Sequence, residues 1–262
     1  MADPFRLDGK VVVLTGAAGV VGTEVVLALV GAGARVCAVD RNLALLRQRL
    51  GPEHASLLHC AADVASREAL QKARRKLESK WGAADALLNN AVTRSRSYFE
   101  PFETFPVEEW NEVMAVNLTG SMLAAQVFGG AMAERGAGSI VNMLSVYALV
   151  GPDQRLYEGS MHLGQPLSSP AVYGASKAGL WGLTRYLATY WGERGVRVNA
   201  VTVGAVFNGQ DEEFVRKYSR EVPLGRMAQA SDVANAMRYL VSDAAKHVTG
   251  HNLVVDGGWT AW

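Results

Sequence analysis

Seven short apolar runs, separated by longer stretches of helical spacing, constrain this chain more than any other feature. They are Lys10–Leu14, Ala34–Val39, Ser56–Cys60, Asp85–Leu88, Gly138–Met143, Val196–Val201 and Asn252–Val255. Most of these runs are near-continuously apolar, without a strict polar alternation. A strand apolar on both faces needs cover on both, which is how a parallel sheet sits between two layers of helices. Right-handed crossovers then lead to an α/β, doubly wound Rossmann fold with a seven-stranded, mostly parallel sheet. Helices are expected from the first glycines to about Gly31, from Leu43 to Leu50 and from Ser66 to Trp81. No repeat or linker divides the chain, so residues 1–262 read as one domain.

Composition narrows the partners. With 262 residues, 49% of them hydrophobic, the chain can bury a sizeable core. A net charge of +1 with no basic block argues against nucleic acid and membrane-surface partners. No apolar run reaches membrane-span length and the N-terminus lacks a signal-peptide layout, so a soluble, cytoplasmic protein is expected. Cys37 and Cys60 lie in apolar strands and read as buried free thiols. The histidines show no ligand spacing, and no metal is expected.

In an open sheet of this kind, ligands bind outside the carboxyl ends of the strands. Thr15-Gly-Ala-Ala-Gly-Val-Val-Gly22 lies at the first such end, between a strand and a helix. Glycine lets the turn tighten and lets a pyrophosphate reach the free N–H groups of the helix start. Gly16, Gly19, Val21 and Gly22 are the candidate contacts of a dinucleotide. Asp40 closes the second strand, where a carboxylate accepts hydrogen bonds from ribose hydroxyls and repels a 2′-phosphate. That favours NAD over NADP, although Arg41 beside it offers a phosphate partner. Asp40 can also be read as the N-cap of the following helix. Two irregular stretches, Thr93–Val107 and Tyr147–Pro170, follow the fourth and fifth strands and emerge on the same ligand side.

Tyr173 and Lys177 stand four residues apart, on one face of a helix. A phenol titrates near pH 10, and a neighbouring ammonium favours its ionised form. The pair would suit proton transfer in alcohol/carbonyl chemistry. The same spacing also occurs on ordinary exposed helices, so its meaning depends on its company.

That company resembles the short-chain dehydrogenase/reductase family across nearly the whole chain. The likeness rests on ordered motifs: the glycine turn at 15–22, Asp63-Val64, Asn89-Asn-Ala91, Asn117, Ser145, Tyr173/Lys177, Asn199 and Val255-Asp-Gly-Gly258. The resemblance implies that Tyr173 is the acid/base, and that Lys177 lowers its pKa and holds the nicotinamide ribose. It implies that Ser145 polarises the substrate oxygen and that Asn117 holds a water in a proton relay. It also implies that Asp63 and the Val64 backbone meet the adenine, that Asn90 lies near the adenosine-side ribose and the sheet centre, and that Val206 meets the carboxamide. A homodimer or homotetramer is the implied assembly.

Some positions depart from the family pattern. Val20 replaces a glycine, Val92 another, Val203-Gly204 stands for Pro-Gly, and Asn208 takes the place of a threonine whose hydrogen bonds an amide can still make. The 28 residues from Ser145 to Tyr173 exceed the usual spacing, so Ser160, Ser168 and Ser169 compete with Ser145. Residues 147–170 therefore read as a substrate-side insertion loop. It resembles that of bacterial members from surface-sugar and flagellin-glycan pathways. Asp153, Gln154, Arg155, Tyr157 and His162 offer polyol partners there, and Arg94 and Arg96 could pair with a substrate anion. Trp81, Trp110, Trp181 and Trp191 read as core or subunit contacts, while Trp259 and Trp262 would close a pocket or meet a neighbour.

The leading expectation is an NAD-dependent oxidoreductase for a secondary alcohol or ketone, a sugar or polyol among them. The alternatives are an epimerase or dehydratase holding NAD, suggested by the Gly16/Gly19/Gly22 spacing, and a non-catalytic NAD-binding regulator.

Overall fold

The computed structural model describes residues 3–162 and 165–262. Seven strands form one sheet in the order β3-β2-β1-β4-β5-β8-β9, all paired in parallel. They are β1 (Val11–Thr15), β2 (Arg35–Asp40), β3 (Leu57–Ala61), β4 (Ala86–Asn89), β5 (Gly138–Ser145), β8 (Val196–Val203) and β9 (Asn252–Val255). The strand order reverses between β1 and β4, which opens a crevice at their carboxyl ends. A two-stranded hairpin, β6 (Met161–His162) with β7 (Gln165–Pro166), lies within the expected insertion. Leu163 and Gly164, and the side chain of His162, fall outside the described residues.

Each strand sends alternate residues to opposite layers. Val12 and Leu14 pack under α1 (Val20–Gly31), α2 (Leu43–Leu50) and α9 (Ala230–Val241), with Val26, Leu46 and Met237 in the same cluster. Val11 and Val13 face the other layer, with Leu70, Phe128 and Trp191. That layer holds α3 (Arg67–Trp81), the long helix Val107–Arg135 and α7 (Ala171–Trp191). Ser66 caps α3 by accepting the N–H of Ala69 at 3.2 Å.

The structure corrects two expectations. Asp40 is not the cap of α2; Asn42 is, accepting the N–H of Leu45 at 3.0 Å. And one helix, Val107–Arg135, is long and apolar enough by length and composition to cross a membrane. Half of its most apolar stretch is buried in the fold, as befits a core helix. It is made of α4 (Val107–Met114), α5 (Ser121–Ala124) and α6 (Gly130–Arg135), joined by two wider π-type segments. Cys37 and Cys60 are buried and free, with sulfurs 3.4 Å apart on neighbouring strands. Trp191 is buried and Trp110 and Trp181 pack in apolar clusters, whereas Trp262 is exposed.

Candidate active site

Site geometry starts where β1 and β4 end. The Thr15 hydroxyl donates to the Leu88 carbonyl at 3.3 Å and accepts the N–H groups of Asn90 and Ala91 at 3.1 and 3.3 Å. The Asn90 amide donates to the carbonyls of Thr15 and Gly16 at 3.1 and 3.0 Å. Asn90 thus holds the glycine turn in place through its amide N–H groups. Gly16 has φ +66°, and a Cβ there would lie 2.7 Å from the Ala91 Cα. A Cβ on Gly22 would lie 2.2 Å from the Gly16 carbonyl oxygen, so the turn closes only with glycine at both places.

A cleft opens above this turn, lined by Gly16, Asp40, Arg41, Asp63, Val64 and Thr93 among others. Gly19 is the N-cap of α1, where no side chain caps the helix and no acid stands in its first turn. The first N–H groups of α1, at Val21 and Gly22, are therefore left for an anion. The Asp40 carboxylate accepts the N–H groups of Ala18 at 3.1 Å and Asn42 at 2.9 Å. Two of its roughly four acceptor positions remain. This donor and acceptor set fits the pyrophosphate and adenosine ribose of a dinucleotide. Asp63 is exposed and accepts the Ala65 N–H at 2.9 Å, while Val64 is buried against Gly120. Val92 also lines the cleft and is 53% exposed, which puts apolar bulk where glycine is usual. Val206 and Asn208 do not line this cleft. They follow β8, Val206 bridged to Ala228 and the Asn208 N–H donating to Gln210.

Beyond β5 lie the proton-transfer candidates. The Ser145 hydroxyl ends β5, accepts the Tyr147 N–H at 3.3 Å, and lies close enough to the Tyr173 phenol to draw its pKa down. Ser168 instead donates to the Phe99 carbonyl at 3.3 Å, and Ser160 is buried away from any described partner. Burial pushes the Tyr173 phenol above its ordinary pKa, opposed by Ser145 and the positive charge of Arg94. The Lys177 ammonium is buried and stands 5.8 Å from the Tyr173 ring centre. It donates to the Met143 carbonyl at 2.8 Å, and burial lowers its pKa to about 8. Desolvation prevails at the Tyr173 phenol, and the counteracting groups are Ser145 and Arg94.

Asn117 sits fully buried in the π-type segment Ala115–Gly120. Its amide oxygen accepts the Thr93 N–H at 3.0 Å and its amide nitrogen donates to the Ser176 hydroxyl at 3.2 Å. The side chain thus ties the loop after β4 to the turn of α7 that carries Lys177. Widened helical turns of this kind recur at functional sites.

Of the insertion residues, Asp153 and Arg155 pair with each other at the surface, and Gln154 donates to the Ser169 carbonyl at 2.9 Å. Among the described polar candidates, Tyr157 turns inward, its hydroxyl 2.5 Å from that of Tyr147. Sequence reasoning did not single out Thr15, Thr93, Ser176 or Tyr147. Thr15 opens the glycine turn, which was a usable signal; the others are brought to the site by tertiary contacts alone.

The family model described as Enoyl-(Acyl carrier protein) reductase matches residues 16–260. The chain is 36% identical over 268 residues to D-threitol dehydrogenase of Mycolicibacterium smegmatis, covering 98% of this chain and 95% of that protein. The chain is a short-chain dehydrogenase/reductase. The dehydrogenase is also 36% identical to galactitol 2-dehydrogenase (L-tagatose-forming) of Cereibacter sphaeroides, across 98% of each. Its fold matches a short-chain dehydrogenase from Leptospira borgpetersenii with bound NAD+, at a TM-score of 0.86 and 33% identity over 98% of this chain and 95% of that one. It is an NAD(P)-dependent oxidoreductase that moves hydride between nicotinamide and a secondary alcohol or ketone.

Proposed function

We propose that this dehydrogenase oxidises a polyol or sugar alcohol with NAD, Tyr173 carrying the proton. The observation that carries the reading is the buried Lys177 ammonium 5.8 Å from the Tyr173 ring, with Ser145 close to the phenol at the end of β5. When bound, the nicotinamide supplies the hydride acceptor at C4 and, in its oxidised form, a further positive charge. Tyr173 takes the hydroxyl proton as the phenolate, and Ser145 orients the substrate oxygen by hydrogen bonding. Lys177, anchored on Met143, keeps positive charge under the phenol and reaches the nicotinamide ribose. Asn117 holds the turn around Lys177 and the water that returns the proton to solvent.

Asp40 supports NAD over NADP, because its remaining carboxylate positions suit ribose hydroxyls and oppose a 2′-phosphate. Asp63 and Val64 bound the adenine side, with Val206 and Asn208 on the carboxamide side. The substrate class follows the names of the two polyol dehydrogenase relatives; the likeness of segment 147–170 to surface-sugar pathway members points the same way. A cytoplasmic location fits two buried thiols left reduced at 3.4 Å. Exposed Tyr186 and Tyr190 on α7, 59% and 52% accessible, suit a homodimer or homotetramer. Absorbance at 340 nm with NAD or NADP over tetritols, pentitols and hexitols tests the reading. Turnover of at least one polyol with NAD preferred supports it, and no turnover of any polyol overturns it.

A further inference from the structure

Tyr147 stands two residues past Ser145 and donates its N–H to the Ser145 hydroxyl oxygen at 3.3 Å. Its carbonyl oxygen lies 3.3 Å from where a Cβ on Gly174 would sit, so it packs on the turn that carries Tyr173. The Tyr147 and Tyr157 hydroxyls are 2.5 Å apart and both residues are half-buried. We propose that Tyr147 and Tyr157 form a hydroxyl-recognition pair that binds a second hydroxyl of the substrate, next to the carbon oxidised at Tyr173. This rests on the polyol reading above.

The rings are fixed from behind. Tyr147 meets Trp259 edge-on at 6.1 Å, and Tyr157 stacks on Phe214 at 5.4 Å. Trp259 stacks in turn on Tyr218 at 5.9 Å. The insertion is tied to α8 (Glu212–Arg220) and its cap at two more points. The Met161 N–H donates to the Asp211 carboxylate at 3.3 Å, and the Lys217 ammonium to the Glu158 carbonyl at 2.6 Å. Segment and helix therefore hold the two hydroxyls in one place, as a preorganised polar site requires.

Proton counting points to a neutral hydroxyl as the ligand. The two phenols bear two protons, and the bond between them uses one. One proton and several lone pairs remain, which a group that both donates and accepts can satisfy. Burial raises the pKa of both phenols, so they stay protonated donors. A site built to hydrogen-bond a hydroxyl discriminates strongly against an analogue lacking it.

The test compares butane-2,3-diol with butan-2-ol, which differ only by the neighbouring hydroxyl, alongside a tetritol. The wild-type ratio of kcat/KM for diol over mono-alcohol should fall tenfold or more in Tyr157→Phe, chiefly through KM for the diol. Tyr147→Phe should lower it in the same direction, and thermal unfolding of both variants reports whether the fold is kept. If the wild type turns over polyols and Tyr157→Phe keeps the ratio, the pair does not recognise a hydroxyl and this inference alone fails. If the wild type turns over butan-2-ol but no polyol, the polyol reading fails and takes the inference with it.

Discussion

Lys177 donates to the main-chain oxygen of Met143 at 2.8 Å, and so is tied to β5 rather than to Tyr173 one turn before it on α7. The helix and the strand end are thereby pinned together under the phenol. The ammonium is held in place at the cost of its hydration, which is why its pKa falls to about 8.

Lys177 should leave a mark on stability. Its pKa of about 8 when folded lies below the roughly 10.4 of an unfolded chain. Between these values the unfolded state binds the proton and the native state does not, so unfolding free energy rises with pH. From pH 8 to 10 the wild type should gain on the order of 2 kcal/mol relative to Lys177→Met. Denaturant melts across that window check it; parallel pH profiles would contradict it.

The glycine turn makes a steric prediction. Gly22→Ala forces a Cβ into the Gly16 carbonyl oxygen, at 2.2 Å before any shift. It should lower stability by about 1–3 kcal/mol and weaken dinucleotide binding in calorimetry. Gly31→Ala is the control, since a Cβ there meets nothing within 4 Å. Equal effects of the two changes would remove the turn from the account.

Asp40 should decide between the two dinucleotides. Asp40→Ser removes the charge that opposes a 2′-phosphate while Arg41 stays in the cleft. The ratio of kcat/KM for NAD over NADP should fall at least tenfold. A ratio left unchanged would mean that cofactor choice is made elsewhere.

His59 is buried on β3, its ring nitrogens without a hydrogen-bond partner among the described residues. Burial lowers its pKa, so below about pH 6.5 the unfolded chain takes up a proton that the native state resists. Stability should therefore fall as pH drops from 7 to 5, and His59→Leu should flatten that fall. Thermal midpoints at each pH measure it; an unchanged slope in the variant would contradict the assignment.

Most of the sheet was legible in the sequence because strands buried on both faces are continuous apolar runs. Their carboxyl ends were not. Apolar patterning stops at Leu14, Val39, Leu88 and Leu144, whereas the strands run on to Thr15, Asp40, Asn89 and Ser145. Those last residues are polar because they stand at the carboxyl edge of the sheet, where Thr15 and Asp40 hydrogen-bond the turns that follow, so the pattern breaks where the site begins. The spacing of Tyr173 and Lys177 was visible, but the Met143 carbonyl that claims the ammonium was not. Nor could spacing show that Tyr157 of the insertion meets Tyr147, or that Asn117 bridges Thr93 and Ser176. These are contacts across many residues of chain, and only packing brings them together.

The central claim is that the Tyr173 phenol carries the substrate proton. Tyr173→Phe removes the hydroxyl and leaves the glycine turn, Asp40 and the cleft around them untouched. Steady-state turnover at 340 nm, paired with dinucleotide titration of the same variant, tests this most directly. The account predicts turnover lower by three or more orders of magnitude with dinucleotide affinity within about threefold of wild type. Turnover within tenfold of wild type would contradict it.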